Sequence, residues 1–144
     1  MANQDAKLSL TAPDQARTDD YRALYQRYLD LCNAHDFKAM QSFYTSPLNV
    51  NDEPWSPENV TAQFEPLIAA FPDWHWELRN LTIEGHFLSL HFKVTGTHKG
   101  EFQGYEPTGR RVATTQFTLY HVVGGRFAEV WDLVDFPSLI EQIK

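Results

Sequence analysis

One cysteine, Cys32, is the only thiol in this chain of 144 residues. A lone thiol closes no intrachain disulfide and supplies no cysteine cluster for zinc. Cys32 falls on an apolar helix face, so it reads as a small buried hydrophobe. Positive charge is also scarce: 12 Lys and Arg stand against 19 Asp and Glu, a formal net charge of -7. Nucleic-acid binding requires a basic footprint that displaces counterions. Arg110-Arg111 is the nearest approach to one, and a single pair makes no groove. The same deficit disfavours a polyanionic substrate or an anionic membrane surface. No apolar run approaches the ~18 residues that a membrane span needs. The stretch Met1 to Lys7 lacks the apolar centre of a secretory signal, so the expected compartment is the cytoplasm. The histidines His35, His75, His86, His91, His98 and His121 are dispersed without an i, i+4 pair, and no metal site is expected.

Aromatic residues, by contrast, are plentiful. They reach 14% of the chain, within an apolar fraction of 42%. That is more ring area than a small core needs. It suits either an aromatic-lined cavity or a bulky core with a subunit interface.

The length fits one domain. Residues 1–17 are polar and aperiodic and read as a mobile tail, with the domain over 18–144. Tyr21, Leu24, Tyr25, Tyr28, Leu29 and Cys32 mark one face of a helix from about Asp19 to Ala34. A short second helix is expected from about Asp36 to Tyr44, then a short strand over Leu48 to Asn51. Ser56-Pro57 opens a third helix. Pro66, inside that helix, kinks it or shortens it. The second half alternates as strands do. Trp74, Trp76 and Leu78 share one parity and Leu81 and Ile83 the other, which places a bulge near Asn80. Strands follow over Phe87–Thr97, Arg111–Val122 and Phe127–Phe136, the last two joined at Gly124-Gly125, and a closing helix over Pro137–Ile143. Helices segregated from an antiparallel sheet make an α+β domain. Both faces of the long strands are apolar, so the face away from the helices needs cover, most simply from a second copy. A homodimer through the outer sheet face is expected.

Several runs are distinctive together: Asn33-Ala34-His35-Asp36, Ala70-Phe71-Pro72-Asp73, Gly96-Thr97-His98-Lys99-Gly100, Pro107-Thr108-Gly109-Arg110-Arg111, and the ending from Gly124 to Asp135. From about Tyr21 to Ile143 the chain resembles the SnoaL-like polyketide cyclase family. The resemblance implies the cone-shaped fold of the nuclear-transport-factor-2-like superfamily, with N-terminal helices packed on a curved, mainly antiparallel sheet around an apolar pocket. It also implies cofactor-free chemistry in which a pocket carboxylate moves protons, as in aldol closure of a polyketide ring. The acid of such cyclases matches Asp132, and a glutamine on the preceding strand matches Gln116. The chain departs from them at Thr118 and Val130, where they carry histidines.

An aldol closure removes a proton alpha to a carbonyl and protonates the new alkoxide. One carboxylate serves both steps if a dry pocket raises its pKa toward neutrality. Asp132 lies between Val130 and Val134 on one strand face. A three-residue turn at the glycines sets Gln116 opposite Asp132 and groups them with Thr114, Thr118 and Val130. A strict two-residue turn shifts the pairing by one and separates them. The three-residue register is the expected one, because it groups polar with polar and turns Phe117, Leu119, Trp131 and Leu133 outward. Glu129 reads as a rim or interface salt bridge, and Asp135 as the cap of the last helix. His98 either lies at the pocket mouth or braces its loop, and loop bracing is the commoner role. The glycines of that loop read as turn residues. Tyr25, Tyr28, Asn51, Trp55 and Phe64 are the expected pocket walls, around a small hydrophobic substrate that includes aromatic and polycyclic ones. The readings left open are a cofactor-free cyclase, isomerase or lyase using Asp132 with Gln116, a ligand-binding protein without chemistry, and an epoxide hydrolase of the same superfamily.

Overall fold

The computed structural model describes residues 11–144. Residues 1–10 of the expected tail lie outside the described residues. Helix α1 runs Ala12–Asn33, starting earlier than the apolar periodicity indicates. Its start is set by polar chemistry: Thr11 caps the Asp14 N–H, and Pro13 sits in the first turn, where a missing N–H costs nothing. Helix α2, Phe37–Met40, is capped by Asp36 and passes into a 3₁₀ turn, Gln41–Phe43.

Strand β1 (Tyr44–Val50) and strand β2 (Glu53–Trp55) form a hairpin. Asn51 and Asp52 make its turn with φ of 49° and 71°, a left-handed conformation these two residue types tolerate. The third expected helix is two. Helix α3 (Pro57–Ala62) is capped by Ser56, and helix α4 is Phe64–Ala70. Pro66 accounts for the division: it has no N–H to give the Ala62 carbonyl, yet it is harmless in the first turn of α4.

Strands β3 (His75–Glu84), β4 (Phe87–Thr97), β5 (Arg111–Val123) and β6 (Arg126–Val134) complete the sheet, and helix α5 (Phe136–Ile143) closes the chain. Asp135 caps α5 through the Ser138 N–H at 3.1 Å, the bland role expected of it. The strand order is β2-β1-β6-β5-β4-β3; β1 and β6 pair in parallel and the rest are antiparallel. The result is an α+β cone, with helices against a curved, unclosed six-stranded sheet.

Register irregularities bend this sheet. The expected bulge in β3 is Arg79, between Leu78 and Asn80. A second lies in β6 and corrects the expected hairpin. Gly124 and Gly125 have φ of 59° and 78°, which gives a two-residue turn, with Val123 opposite Arg126. Such a turn alone would set Asp132 on the wrong face. Ala128 is an extra residue that restores the parity, so Asp132 lies opposite Thr118, and Gln116 lies opposite Val134.

The concave face holds the core. Leu88, Leu90, Phe92 and Val94 of β4 are all buried. Tyr25 and Tyr28 of α1 lie against Phe92, Tyr120 and Phe127 with ring centroids 5.0–6.2 Å apart. The Asn33-to-Asp36 run locks α1 to the sheet. The Asn33 amide bonds both the N–H and the carbonyl of Trp76, at 2.8 and 3.0 Å, and His35 Nε2 donates to the Trp74 carbonyl at 2.7 Å.

The glycines of the β4–β5 region are not all turn residues. Gly96 lies inside β4 under Phe71, and a Cβ on Gly100 would come within 2.4 Å of the Ala69 carbonyl oxygen. Close packing of this loop on α4 excludes side chains there.

Candidate active site

Strands β5 and β6 carry the chemistry. Asp132 Oδ1 accepts two hydrogen bonds, from Gln116 Nε2 and from Thr118 Oγ1, each at 2.7 Å. The Gln116 amide is oriented from its other end: Trp76 Nε1 donates to Gln116 Oε1 at 2.9 Å. The backbone N–H of Asp132 donates to Asn51 Oδ1 at 3.0 Å, and the Asn51 N–H donates to the Val130 carbonyl. The β1–β2 turn is thus pinned to β6, and Trp131 Nε1 ties down Asp52 from the opposite side of β6.

Both bonds to the carboxylate fall on Oδ1, which leaves Oδ2 as the oxygen able to take or give a proton. Asp132 counts as exposed by the area that solvent reaches, because the pocket opens beside it. Protein nevertheless surrounds the carboxyl closely, and water in a narrow cleft screens less than bulk. Desolvation therefore prevails, and the Asp132 pKa is raised despite the opposing bonds from Thr118 and Gln116.

Two chambers meet at this carboxyl and share Gln63, Phe64, Trp76 and Gln116 with it. The inner chamber, of about 90 Å³, lies between α1 and the sheet, with Tyr25, Tyr28, Tyr44 and Tyr120 in its wall. The second, of about 260 Å³, runs between α4, the Phe102 loop and the start of α5. Cys32 also lines the inner chamber, and burial pushes its thiol up to about 12, so it stays protonated. Among the described residues, no group of three His, Cys, Asp or Glu side chains is placed to hold a metal ion.

Of the expected wall residues, Tyr25, Tyr28, Asn51 and Phe64 line the inner chamber. Trp55 does not. It lies on the edge strand β2 opposite buried Leu48, half-buried against the core at the rim, beside a shallow surface depression. His98 lines neither chamber. It is fully buried and stacks on Phe71 at 5.4 Å. Its Nδ1 accepts the Thr108 N–H at 3.2 Å and contacts Thr108 Oγ1 at 3.1 Å, so it braces the loop. Glu129 pairs with His121 at 2.9 Å on the outer face.

Sequence reasoning missed Trp76, Tyr44 and Tyr120. Trp76 carried a signal, the inward parity it shares with Trp74. For Tyr44 and Tyr120 there was only the surplus of aromatic residues.

The family model of the SnoaL-like polyketide cyclases matches residues 22–143. The chain belongs to this family. Among solved structures it is similar to AclR of Streptomyces galilaeus, described as a candidate hydroxylase, with 27% identity, TM-score 0.76, and coverage of 85% of this chain and 93% of that one. A SnoaL-like polyketide cyclase of Agrobacterium tumefaciens shares 22% identity at TM-score 0.73, over 84% of this chain and 95% of that one. IdmH of Streptomyces antibioticus, a candidate polyketide cyclase, shares 22% identity at TM-score 0.73, over 87% and 96%. The last two likenesses concern the fold. No curated protein matches the chain. Among the described residues, no helix is long and apolar enough to cross a membrane.

Proposed function

We propose that this SnoaL-like protein is an acid–base enzyme acting on a hydrophobic carbonyl compound by aldol-type cyclisation, isomerisation or elimination. The observation that carries this reading is the Asp132 carboxyl at the junction of two chambers, with Oδ1 doubly bonded and Oδ2 free. Oδ2 takes the proton from the carbon alpha to the carbonyl. The donors on Oδ1 hold the carboxyl in one rotamer and keep the proton on Oδ2. The same oxygen then returns the proton to the alkoxide or to carbon. A raised pKa suits a group that must act in both directions.

The test is deuterium exchange at the alpha carbon of 2-tetralone in D₂O, followed by NMR. Exchange faster than in buffer, lost by about 100-fold or more in a folded Asp132→Asn variant, is the expected result. Equal exchange in the variant overturns the reading. Absence of exchange in the wild type moves the ligand-binding alternative ahead.

The likeness to AclR favours one second reading, oxygenation of a similar substrate, which dioxygen uptake would reveal. The epoxide hydrolase alternative has less support, since among the described residues no arginine lines either chamber. We further propose a homodimer through the outer sheet face. Phe117 and Leu133 face each other there across β5 and β6 and are 53% and 71% exposed.

A further inference from the structure

The inner chamber is small and unusually rich in phenols. A dry cavity of about 150 Å³ accepts one benzene ring. The inner chamber, at about 90 Å³, is smaller than that, whereas the second chamber holds about 260 Å³. A ring system therefore fits the second chamber and not the first. Phe64, Leu67, Trp74, Phe102 and Phe136 give the second chamber apolar walls.

The four inner phenols form two contacting pairs, one of them hydrogen-bonded. Tyr28 bonds Tyr44 through their hydroxyls. Tyr25 and Tyr120 pack against each other with ring centroids 5.6 Å apart. The Tyr28–Tyr44 pair spends one of its two hydroxyl protons internally and keeps one to donate. Burial raises all four phenol pKa values, so all remain protonated donors. Tyr44 and Tyr120, on the sheet, feel the Asp132 charge, and Tyr120 has the largest solvent-reached area of the four. Tyr25 and Tyr28, on α1, line the same chamber.

We propose that the substrate divides at Asp132: a small oxygen-bearing head, such as a methyl ketone, enters the inner chamber and accepts hydrogen bonds from Tyr44 and Tyr120, while its apolar ring body occupies the second chamber. The inference rests on the acid–base reading and adds the substrate's shape and polarity to it. When Asp132 Oδ2 takes the alpha proton, the C–H electron pair becomes the C=C bond of an enolate. The negative charge moves to the oxygen beside the phenols, and the proton stays on Asp132.

The test compares 4-phenyl-2-butanone with butylbenzene, a hydrocarbon of similar body without the oxygen. Binding is followed by tryptophan fluorescence, since Trp74 and Trp76 line the chambers. Wild-type protein is expected to bind the ketone about tenfold more tightly, and Tyr120→Phe and Tyr44→Phe are each expected to shrink the preference. Equal binding of the two probes by wild type overturns the proposal, and so does a preference that survives both substitutions. The first comparison needs no variant to fold. Binding is read without turnover, so a protein that prefers the ketone but exchanges no deuterium refutes the acid–base reading alone. A protein that exchanges deuterium without the preference refutes this inference alone.

Discussion

Trp76 on β3 and Asp132 on β6 are joined through Gln116, and Trp76 decides which end of the Gln116 amide faces Asp132. The indole N–H can only donate, so it claims Gln116 Oε1 and leaves Nε2 for the carboxylate. A Trp76→Phe substitution releases the amide. The expected outcome is a weaker Gln116–Asp132 bond and an upward move of the Asp132 pKa, because a donor favours the charged form. Gln116→Leu is expected to move it further in the same direction. Carbon-13 NMR titration of the Asp132 carboxyl checks both, and an unchanged titration in Gln116→Leu would contradict the mechanism.

Asp132 also costs stability where it is ionised. Its folded pKa is raised above the 3.8 of the free side chain. Between those two values the folded state holds a proton that the unfolded state has lost, so stability falls as pH rises through that window. Above the folded pKa the full penalty is present. Asp132→Asn is therefore expected to gain stability over wild type as pH rises from about 4 to about 8. Urea denaturation of both proteins across that range measures the gap. A gap independent of pH would show that Asp132 titrates normally.

His98 braces the β4–β5 loop and lines neither chamber. His98→Ala removes the Nδ1 bonds to Thr108 and opens a void against Phe71. A loss of about 1–3 kcal/mol in unfolding free energy is expected. Alpha-proton exchange by the protein that remains folded should persist near the wild-type rate. A variant of full stability without activity would return His98 to the pocket.

The outer sheet face makes a separate prediction. Phe117 stacks on His91 at 4.8 Å and Phe87 on His121 at 4.5 Å, so the face is aromatic. Phe117→Glu with Leu133→Glu is expected to convert a dimer to monomers in sedimentation velocity, with far-ultraviolet circular dichroism unchanged. A monomeric wild type would refute the dimer.

The sequence by itself settled the four long strands of the sheet, but not the edge strand β2 or the start of β1. Strand parity is a local property, and β4 matches its predicted bounds, Phe87–Thr97. The β3 bulge, the cap at Asp135 and the break near Pro66 were legible for the same reason, since each follows from one residue's own hydrogen-bonding capacity. Asp132 and Gln116 were legible as a pair through the family resemblance and their common face. Only tertiary structure decided how they meet. Ala128 is an unremarkable residue, and nothing local marks it as the extra one that offsets the two-residue glycine turn. Trp76, Tyr44 and Tyr120 converge from three strands, and Tyr25 and Tyr28 from α1, which no periodicity within one segment can report. The volume of the inner chamber is likewise what packing of α1 on a bent sheet leaves unfilled, a difference between large volumes that composition does not fix.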